Sequence, residues 1–170
     1  VKELLNPKPA EVTLITRPRR FGKTLAMSML ENFFDIKKNS RDLFAGLEIS
    51  ASEELCSRWM NQCPTVSLCF RQVDGLDFSS AYDMLTMVIS NLFNRHRYLL
   101  ESQEISEFQK TAFVQIASQK ATAGEIKNSL ILLTDMMQTY YGKKVLLLVD
   151  EYDVPVAKAN NNGYYEEMLD

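Results

Sequence analysis

The sequence predicts an α/β fold with three layers, in which helices cover both faces of a mostly parallel central sheet. Three short runs rich in strand-forming residues alternate with helical patterns along the chain. This order is the one that right-handed crossovers between parallel strands require. With 170 residues and a hydrophobic content of 46%, the chain can bury a core as a single domain, residues 1–170.

The three predicted strands are residues 12–15, 65–70 and 145–149. The first is short and apolar, and the second is rich in residues that favour strands. The third is a continuous apolar run with the sequence V-L-L-L-V. We expect such a run to be a strand that is buried on both faces of a parallel sheet.

Helical periodicity is found between the strands. Pairs of apolar residues recur from Leu25 onward, so the first helix is expected to run to about Asp35 with one face against the sheet. A short helix is expected over residues 52–60, with Leu55 and Trp59 facing inward. The clearest amphipathic pattern begins at residue 79 and ends near residue 93.

The second half of the chain carries weaker helical signals. Residues 102–118 show a helical pattern in which Phe108 is assigned to the core. Thr122 and Glu125 have the spacing of a capping box, which predicts the start of a helix that Gly142 ends in a left-handed conformation. The asparagine-rich residues 160–163 are predicted to form a loop.

The segment between the first strand and the first helix has features of a phosphate-binding loop. Gly22, Lys23 and Thr24 stand where a strand leads into a helix, which is the context that such a loop requires. Backbone N–H groups of the loop and the helix N-terminus would face the phosphates, beside the ammonium of Lys23. The usual pattern G-x-x-x-x-G-K-[S/T] has glycine where this chain has Arg17, so the strict pattern is not met.

Two carboxylates, Asp150 and Glu151, follow the third strand. A carboxylate at the end of a strand is suited to hold Mg²⁺, and its neighbour can orient or deprotonate a water molecule. Taken together, the two motifs predict a nucleoside triphosphate site in a phosphate-loop NTPase core. An ordinary turn and an ordinary core strand would explain either motif taken alone.

The predicted site assigns a role to each residue. Lys23 is expected to pair with the β- and γ-phosphates, while Thr24 and Asp150 hold Mg²⁺. Glu151 is expected to position the attacking water, so Lys23 and Glu151 are the predicted catalytic residues. The predicted nucleotide-binding residues are Arg19, Arg20, Phe21, Gly22, Lys23, Thr24 and Leu25. A solvated basic turn would account for the two arginines equally well.

Composition and residue spacing bear on the location of the protein, on metal and disulfide sites and on nucleic-acid binding. No run approaches the roughly 18 apolar residues of a membrane span, and residues 1–16 lack the pattern of a signal peptide, so a cytoplasmic location is expected. The three cysteines match neither a zinc site nor a disulfide framework, and His96 is expected to be a solvated surface residue. The net charge of −3 gives no basic footprint for nucleic acid.

The two motifs also support a family resemblance. The phosphate loop reads R-P-R-R-F-G-K-T at residues 17–24, and the metal strand ends in D-E-Y-D-V-P at residues 150–155. In both motifs, and over nearly all of its length, the chain resembles the predicted AAA-ATPase-like proteins of bacteria, in which arginine at position 17 is usual. The resemblance implies binding and hydrolysis of ATP, and the carboxylate of Asp150 adds Mg²⁺ as the expected cofactor.

The same resemblance bears on the ends of the chain. Longer members of the family often carry a restriction-endonuclease-like domain after the ATPase domain, which these residues do not include. The family's domain also continues into a further strand that supplies a polar sensor residue. We therefore expect a domain truncated at its C-terminus, with weak or no ATP turnover by this piece alone.

Two alternative functions remain open at this point. The first is a nucleotide-responsive switch or interaction module that binds ATP with little turnover and signals through attached domains. The second is the ATPase component of a nucleic-acid-handling or defence protein, in which DNA would stimulate hydrolysis. The acidic balance of the chain counts against nucleic-acid binding by this segment.

Overall fold

The structure is a computed structural model that describes residues 12–16 and 22–169. These residues form helices and a small sheet of two strands, which confirms the mixed α/β character predicted above. The strands are β1 (Thr65–Cys69) and β2 (Leu146–Asp150). The α-helices are α1 (Lys23–Phe34), α2 (Glu53–Trp59), α3 (Phe78–Asn94), α4 (Glu107–Ala117), α5 (Ala123–Lys127), α6 (Ser129–Tyr141), α7 (Val154–Asn162) and α8 (Tyr165–Leu169). Within the described ranges, no helix is both long and apolar enough to span a membrane.

The two strands pair in parallel. The N–H of Leu146 donates to the carbonyl of Pro64 at 2.9 Å, and the N–H of Phe70 donates to the carbonyl of Asp150 at 3.1 Å. Positions along both strands therefore increase together. Because alternate residues of a strand bond to opposite neighbours, the backbone of Ser67 is directed to the edge of β1 that faces away from β2.

This outer edge of β1 is covered at two points. Just before the strand, the N–H of Cys63 donates to the carbonyl of Phe34, and its carbonyl accepts from the N–H of Ile36, both at 2.9 Å. Further along, Nη2 of Arg95 donates to the carbonyl of Ser67 at 2.9 Å. Side chains and turns placed on a strand edge in this way protect it from pairing with other chains.

The chain forms two compact units. The first consists of the described residues up to Val66 together with Leu146–Leu148, and the second consists of the remaining described residues. Phe33 lies at the centre of the first core, where its ring meets those of Phe34 and Phe44 edge to face, with centroids 5.0 and 5.4 Å apart. Leu30, Ile49 and Leu148 complete the buried cluster, and Leu55 and Trp59 pack against it as predicted.

The second unit is mainly helical. In it α3 packs against α4, and α4 packs against α6. The rings of Phe93 on α3 and Phe113 on α4 lie 4.9 Å apart and are fully buried. A smaller cluster joins Ala81, Ala159 and Tyr164. Burial of these apolar side chains stabilises the helical part of the chain.

The prediction of a strand at residues 12–15 is wrong, because these residues form no strand in the structure. Val12 and Leu14 are exposed, and only Ile15 packs against the first core. A strand requires a neighbour with which to exchange hydrogen bonds, and the described sheet contains only β1 and β2.

The first helix runs over Lys23–Phe34, close to the predicted end at Asp35, and it buries one face through Leu30, Phe33 and Phe34. Its other apolar residues, Leu25 and Met29, are exposed.

The prediction that β2 is buried on both faces is also wrong. Leu148 is buried, but Leu146 is half-buried and Leu147 is exposed. Burial of both faces requires covering layers on both sides of the sheet. Within the described part of the chain, the strand therefore lies nearer the surface than its apolar sequence indicates.

Two predictions about exposure are reversed. Phe108 was assigned to the core but is 83% exposed. It stands five positions before the buried Phe113, a spacing that places the two side chains on different sides of α4. His96 was expected to be solvated but is only 7% exposed, and its Nδ1 lies 3.2 Å from Oη of Tyr98.

The signals around α5 and α6 are confirmed in part. Thr122 and Glu125 form the predicted capping box, and Gly142 ends α6 with φ of 62°. The expected single helix is instead divided into two helices at Asn128. Its Nδ2 donates to the carbonyl of Gly124 at 2.9 Å, and this local bond competes with the helical ladder.

Asn61 closes the C-terminal end of α1. Its Nδ2 donates to the carbonyls of Asn32 and Asp35, both at 3.0 Å, and its Oδ1 accepts from the N–H of Ser40 at 2.9 Å. The N–H of Asn61 also donates to the carbonyl of Phe33 at 2.7 Å. These bonds satisfy carbonyl groups that a helix end leaves without intrahelical partners.

Replacing Asn61 with alanine is expected to lower the free energy of unfolding by about 2–4 kcal/mol. The change leaves partly buried polar groups unpaired, and φ of 56° at this position is unfavourable for alanine. Denaturant unfolding would measure the loss. Asn61→Gly is the matched control, since it accepts this φ but makes no side-chain bonds. Unchanged stability of the alanine variant would contradict the assignment.

Candidate functional site

The predicted site residues fall into three groups. Arg19, Arg20 and Phe21 lie outside the described residues. Gly22, Lys23, Thr24 and Leu25 lie together at the start of α1, in the first unit. Asp150 and Glu151 lie together at the end of β2, in the second unit.

The start of α1 depends on the conformation of Gly22. This residue has φ of 74° and ψ of 25°, a left-handed conformation that glycine adopts at little cost. The helix begins immediately afterwards at Lys23, and the N–H of Ala26 donates to the carbonyl of Gly22 at 2.9 Å. The predicted start of the first helix at the G-K-T sequence is therefore confirmed, whereas the loop residues 17–21 lie outside the described residues.

The N-terminus of α1 has the properties of an anion site. The N-cap residue, Gly22, has no side chain with which to cap the helix, and the first turn of α1 contains no acidic residue. The first N–H groups of a helix have no intrahelical acceptor, and they lie at the positive end of the helix dipole. Lys23 is half-buried, whereas Thr24 and Leu25 are exposed. The ammonium, the hydroxyl and the N–H groups are the donors that phosphate oxygens require.

Asp150 is held at the end of β2 by backbone and side-chain bonds. Its carbonyl accepts from the N–H of Phe70, which fixes the residue beside the end of β1. Its Oδ1 accepts from the N–H of Glu151 at 3.0 Å. A half-buried carboxylate held in this way is the kind of hard oxygen ligand that Mg²⁺ prefers.

Glu151 has an unusual backbone conformation. Its φ of 54° lies in the left-handed region, which costs a residue with a side chain about 1–2 kcal/mol. Bonds on both sides maintain this conformation, since the N–H of Glu151 donates to Asp150 and its carbonyl accepts from the N–H of Val154 at 3.1 Å. Strained residues of this kind are concentrated at functional sites.

The structure adds Arg71, which sequence reasoning missed. Its Nη2 lies 3.5 Å from Oε1 of Glu151, although the two residues are 80 positions apart in the chain. They meet because Phe70 and Asp150, the residues before them, are paired between β1 and β2. No short motif marks Arg71, and only the register of the two strands would have identified it.

The residues present fit Mg²⁺ bound with a nucleotide. In the described ranges, no three His, Cys, Asp or Glu side chains gather into a protein-only metal site. Mg²⁺ in nucleotide sites is typically held by one or two protein oxygens together with phosphate oxygens and water. The carboxylate of Asp150 and the hydroxyl of Thr24 are oxygen donors of this type.

The segment that follows Glu151 holds the loop after β1. Nζ of Lys158 on α7 lies 2.7 Å from Oδ2 of Asp74, and this hydrogen bond keeps the pKa of Asp74 below its ordinary value of 3.8. The pair therefore contributes stability above that pH, which is lost as the pH falls through the lowered pKa. Asn162 and Tyr164 both donate to the carbonyl of Gly75, at 2.7 and 2.9 Å.

The position of Asn162 also corrects the loop predicted at residues 160–163. The asparagines form the last turn of α7, and only Gly163, with φ of 85°, ends the helix. Asn162 is therefore placed in the helix, from which it reaches Gly75.

Replacing Gly75 with alanine is expected to lower the free energy of unfolding by about 1–3 kcal/mol, the usual cost of overpacking. An added Cβ would lie 2.5 Å from the backbone nitrogen of Ala81, so the loop or α3 would have to shift. Gly124→Ala is the matched control, because a Cβ there meets nothing within 4 Å. Thermal unfolding of both variants checks the prediction, and equal effects would contradict it.

The chain was compared with protein families, curated proteins and solved structures. It matches the family model described as predicted AAA-ATPase over residues 2–170. Neither the curated proteins nor the solved structures gave a match. The family match covers nearly the whole sequence and includes both the G-K-T segment and the Asp-Glu pair, so the chain belongs to the predicted AAA-ATPase family.

Proposed function

We propose that this protein binds ATP with Mg²⁺ and hydrolyses the β–γ phosphoanhydride bond. In this proposal, residues 1–170 are part of an AAA-like domain whose complete core is a three-layer phosphate-loop fold. Membership of the predicted AAA-ATPase family supports nucleotide binding. The start of α1 carries the proposal, because a helix that opens with Gly22, Lys23 and Thr24 directs its first N–H groups and the Lys23 ammonium to one end, where they can bind an anion.

Four residues, Gly22, Lys23, Thr24 and Asp150, are proposed to bind the nucleotide and its metal ion. The ammonium of Lys23 pairs with the β- and γ-phosphates, where it offsets their negative charge. The hydroxyl of Thr24 and the carboxylate of Asp150 hold Mg²⁺ directly or through water. When bound, the metal ion supplies charge that neutralises the polyphosphate. Gly22 lets the backbone approach the phosphates closely.

Glu151 is proposed to position the attacking water. Its carboxylate accepts a hydrogen bond from the water, which directs a lone pair of the water oxygen towards the γ-phosphorus. The rate of phosphoryl transfer depends mainly on positioning and on electrostatic stabilisation, so a fixed carboxylate has a large effect. The bonds that hold the backbone of Glu151 support this role.

Isothermal titration of the chain with ATP and GTP, each with and without Mg²⁺, tests the binding step. We expect ATP to bind, and we expect Mg²⁺ to increase its affinity. An absence of binding to either nucleotide would contradict the proposal. Slow single-turnover kinetics, combined with a large ATP-dependent change in protease sensitivity, would instead favour a nucleotide-responsive switch.

A further inference from the structure

We infer that Arg71 is a positioning residue that holds the carboxylate of Glu151 in the orientation needed for hydrolysis. This inference rests on the proposed function, because it concerns the residue to which water activation is assigned. It extends that function to a residue on the neighbouring strand, outside both sequence motifs.

The register of the sheet brings the two side chains together. The N–H of Phe70 donates to the carbonyl of Asp150, so the C-terminal ends of β1 and β2 lie side by side. Arg71 and Glu151 are the next residues, and Nη2 lies 3.5 Å from Oε1. This distance corresponds to an ion pair at the long limit of a hydrogen bond. A displacement of the residues after β1 would therefore move the guanidinium of Arg71 relative to the carboxylate of Glu151.

The backbone of Glu151 leaves only its side chain free to rotate. Its N–H and carbonyl are both bonded, to Asp150 and Val154, and its left-handed φ is held in place by these bonds. The remaining freedom lies in the χ angles, and ordering a glutamate side chain costs entropy. The planar guanidinium of Arg71 offers fixed donors that restrict these rotations.

The exposure of the two side chains agrees with this assignment. The side chain of Glu151 is 24% exposed, whereas that of Arg71 is 61% exposed. The side chain of Glu151 is therefore the more enclosed of the two. A surface ion pair with such an exposed arginine contributes little to stability, so its main effect is expected on orientation.

The backbone that carries Arg71 is anchored on its C-terminal side. Val73 is fully buried, and its N–H donates to the carbonyl of Phe70 at 3.0 Å. Asp74 pairs with Lys158, and the carbonyl of Gly75 accepts two hydrogen bonds from residues that follow α7 or end it. A side chain can position another group only when its own backbone is held, and this loop meets that condition.

A double-mutant cycle of four proteins tests the inference: the parent chain, Arg71→Ala, Glu151→Gln and the double variant. Two further variants, Arg71→Lys and Arg97→Ala, serve as controls. In Arg71→Ala we expect kcat to fall by about 10-fold while the Kd for ATP stays within about twofold, because misplacement affects the reaction more than binding. Arg71→Lys should recover only part of kcat, since it restores the cation but not the planar donors of the guanidinium. In the Glu151→Gln background the Arg71→Ala change should have no further effect. Arg97→Ala is the matched control, as an exposed arginine bonded to Asn94.

An unchanged or raised kcat in Arg71→Ala, or a loss that persists in the Glu151→Gln background, would overturn the inference. If Glu151→Gln retains full turnover, the role proposed for Glu151 fails instead. Denaturant unfolding of the same four proteins supplies a readout without turnover. Arg71→Ala should unfold at nearly the same denaturant concentration as the parent, because an ion pair with so exposed an arginine contributes little to stability; a large loss of stability would assign Arg71 a structural role and overturn the inference.

Discussion

Lys23→Ala is expected to weaken ATP binding by roughly 10- to 100-fold, the loss of one or more charge-assisted hydrogen bonds at about 1.5–3 kcal/mol. The ammonium stands at the first position of α1, next to backbone N–H groups that also favour an anion. Alanine keeps the helix intact, so the effect is on charge rather than on folding. Isothermal titration with ATP and Mg²⁺ measures the change.

Lys120→Ala is the matched control, since it removes the same charge from an exposed position outside the predicted site. Both variants should unfold at the same denaturant concentration as the parent protein. If Lys23→Ala binds ATP as tightly as Lys120→Ala does, the phosphate-binding role of α1 is wrong.

Glu151→Gln is expected to keep ATP binding and to lower turnover by about 100- to 1,000-fold, the usual effect of removing a general base. Glutamine has nearly the same shape, and the backbone bonds of residue 151 to Asp150 and Val154 do not depend on the carboxylate. Steady-state phosphate release gives kcat, and titration gives Kd for ATP.

Glu104→Gln removes a carboxylate from an exposed position and serves as the matched control. It should leave both kcat and Kd unchanged. Full turnover by Glu151→Gln would remove Glu151 from the reaction, whereas a parallel loss of ATP binding would indicate a role in holding the nucleotide.

Local signals in the sequence were reliable where neighbouring residues decide the structure. Gly22 and Gly142 both adopt the left-handed conformation that glycine allows, and they mark the start of α1 and the end of α6. Thr122 and Glu125 bond to each other's backbone within a single turn. Such features depend on a few adjacent residues, so a sequence pattern is sufficient to predict them.

Features that depend on distant residues could not be predicted. The apolar residues 12–15 form no strand, since a strand depends on its partner. Arg71 reaches Glu151 only because β1 and β2 pair in one register. Asn61 lies in no motif, yet it bonds to groups more than 20 positions away.

The covered outer edge of β1 affects on which side of the sheet a further strand can pair. Arg95 already occupies the carbonyl of Ser67, and the turn after α1 occupies Cys63, so a strand that paired along that side would have to displace these bonds. In the described part of the chain, the far side of β2 has no strand beside it. A strand that enlarges this sheet without displacing those bonds, from the same polypeptide or from another, pairs with β2, at whose end the Asp-Glu pair lies.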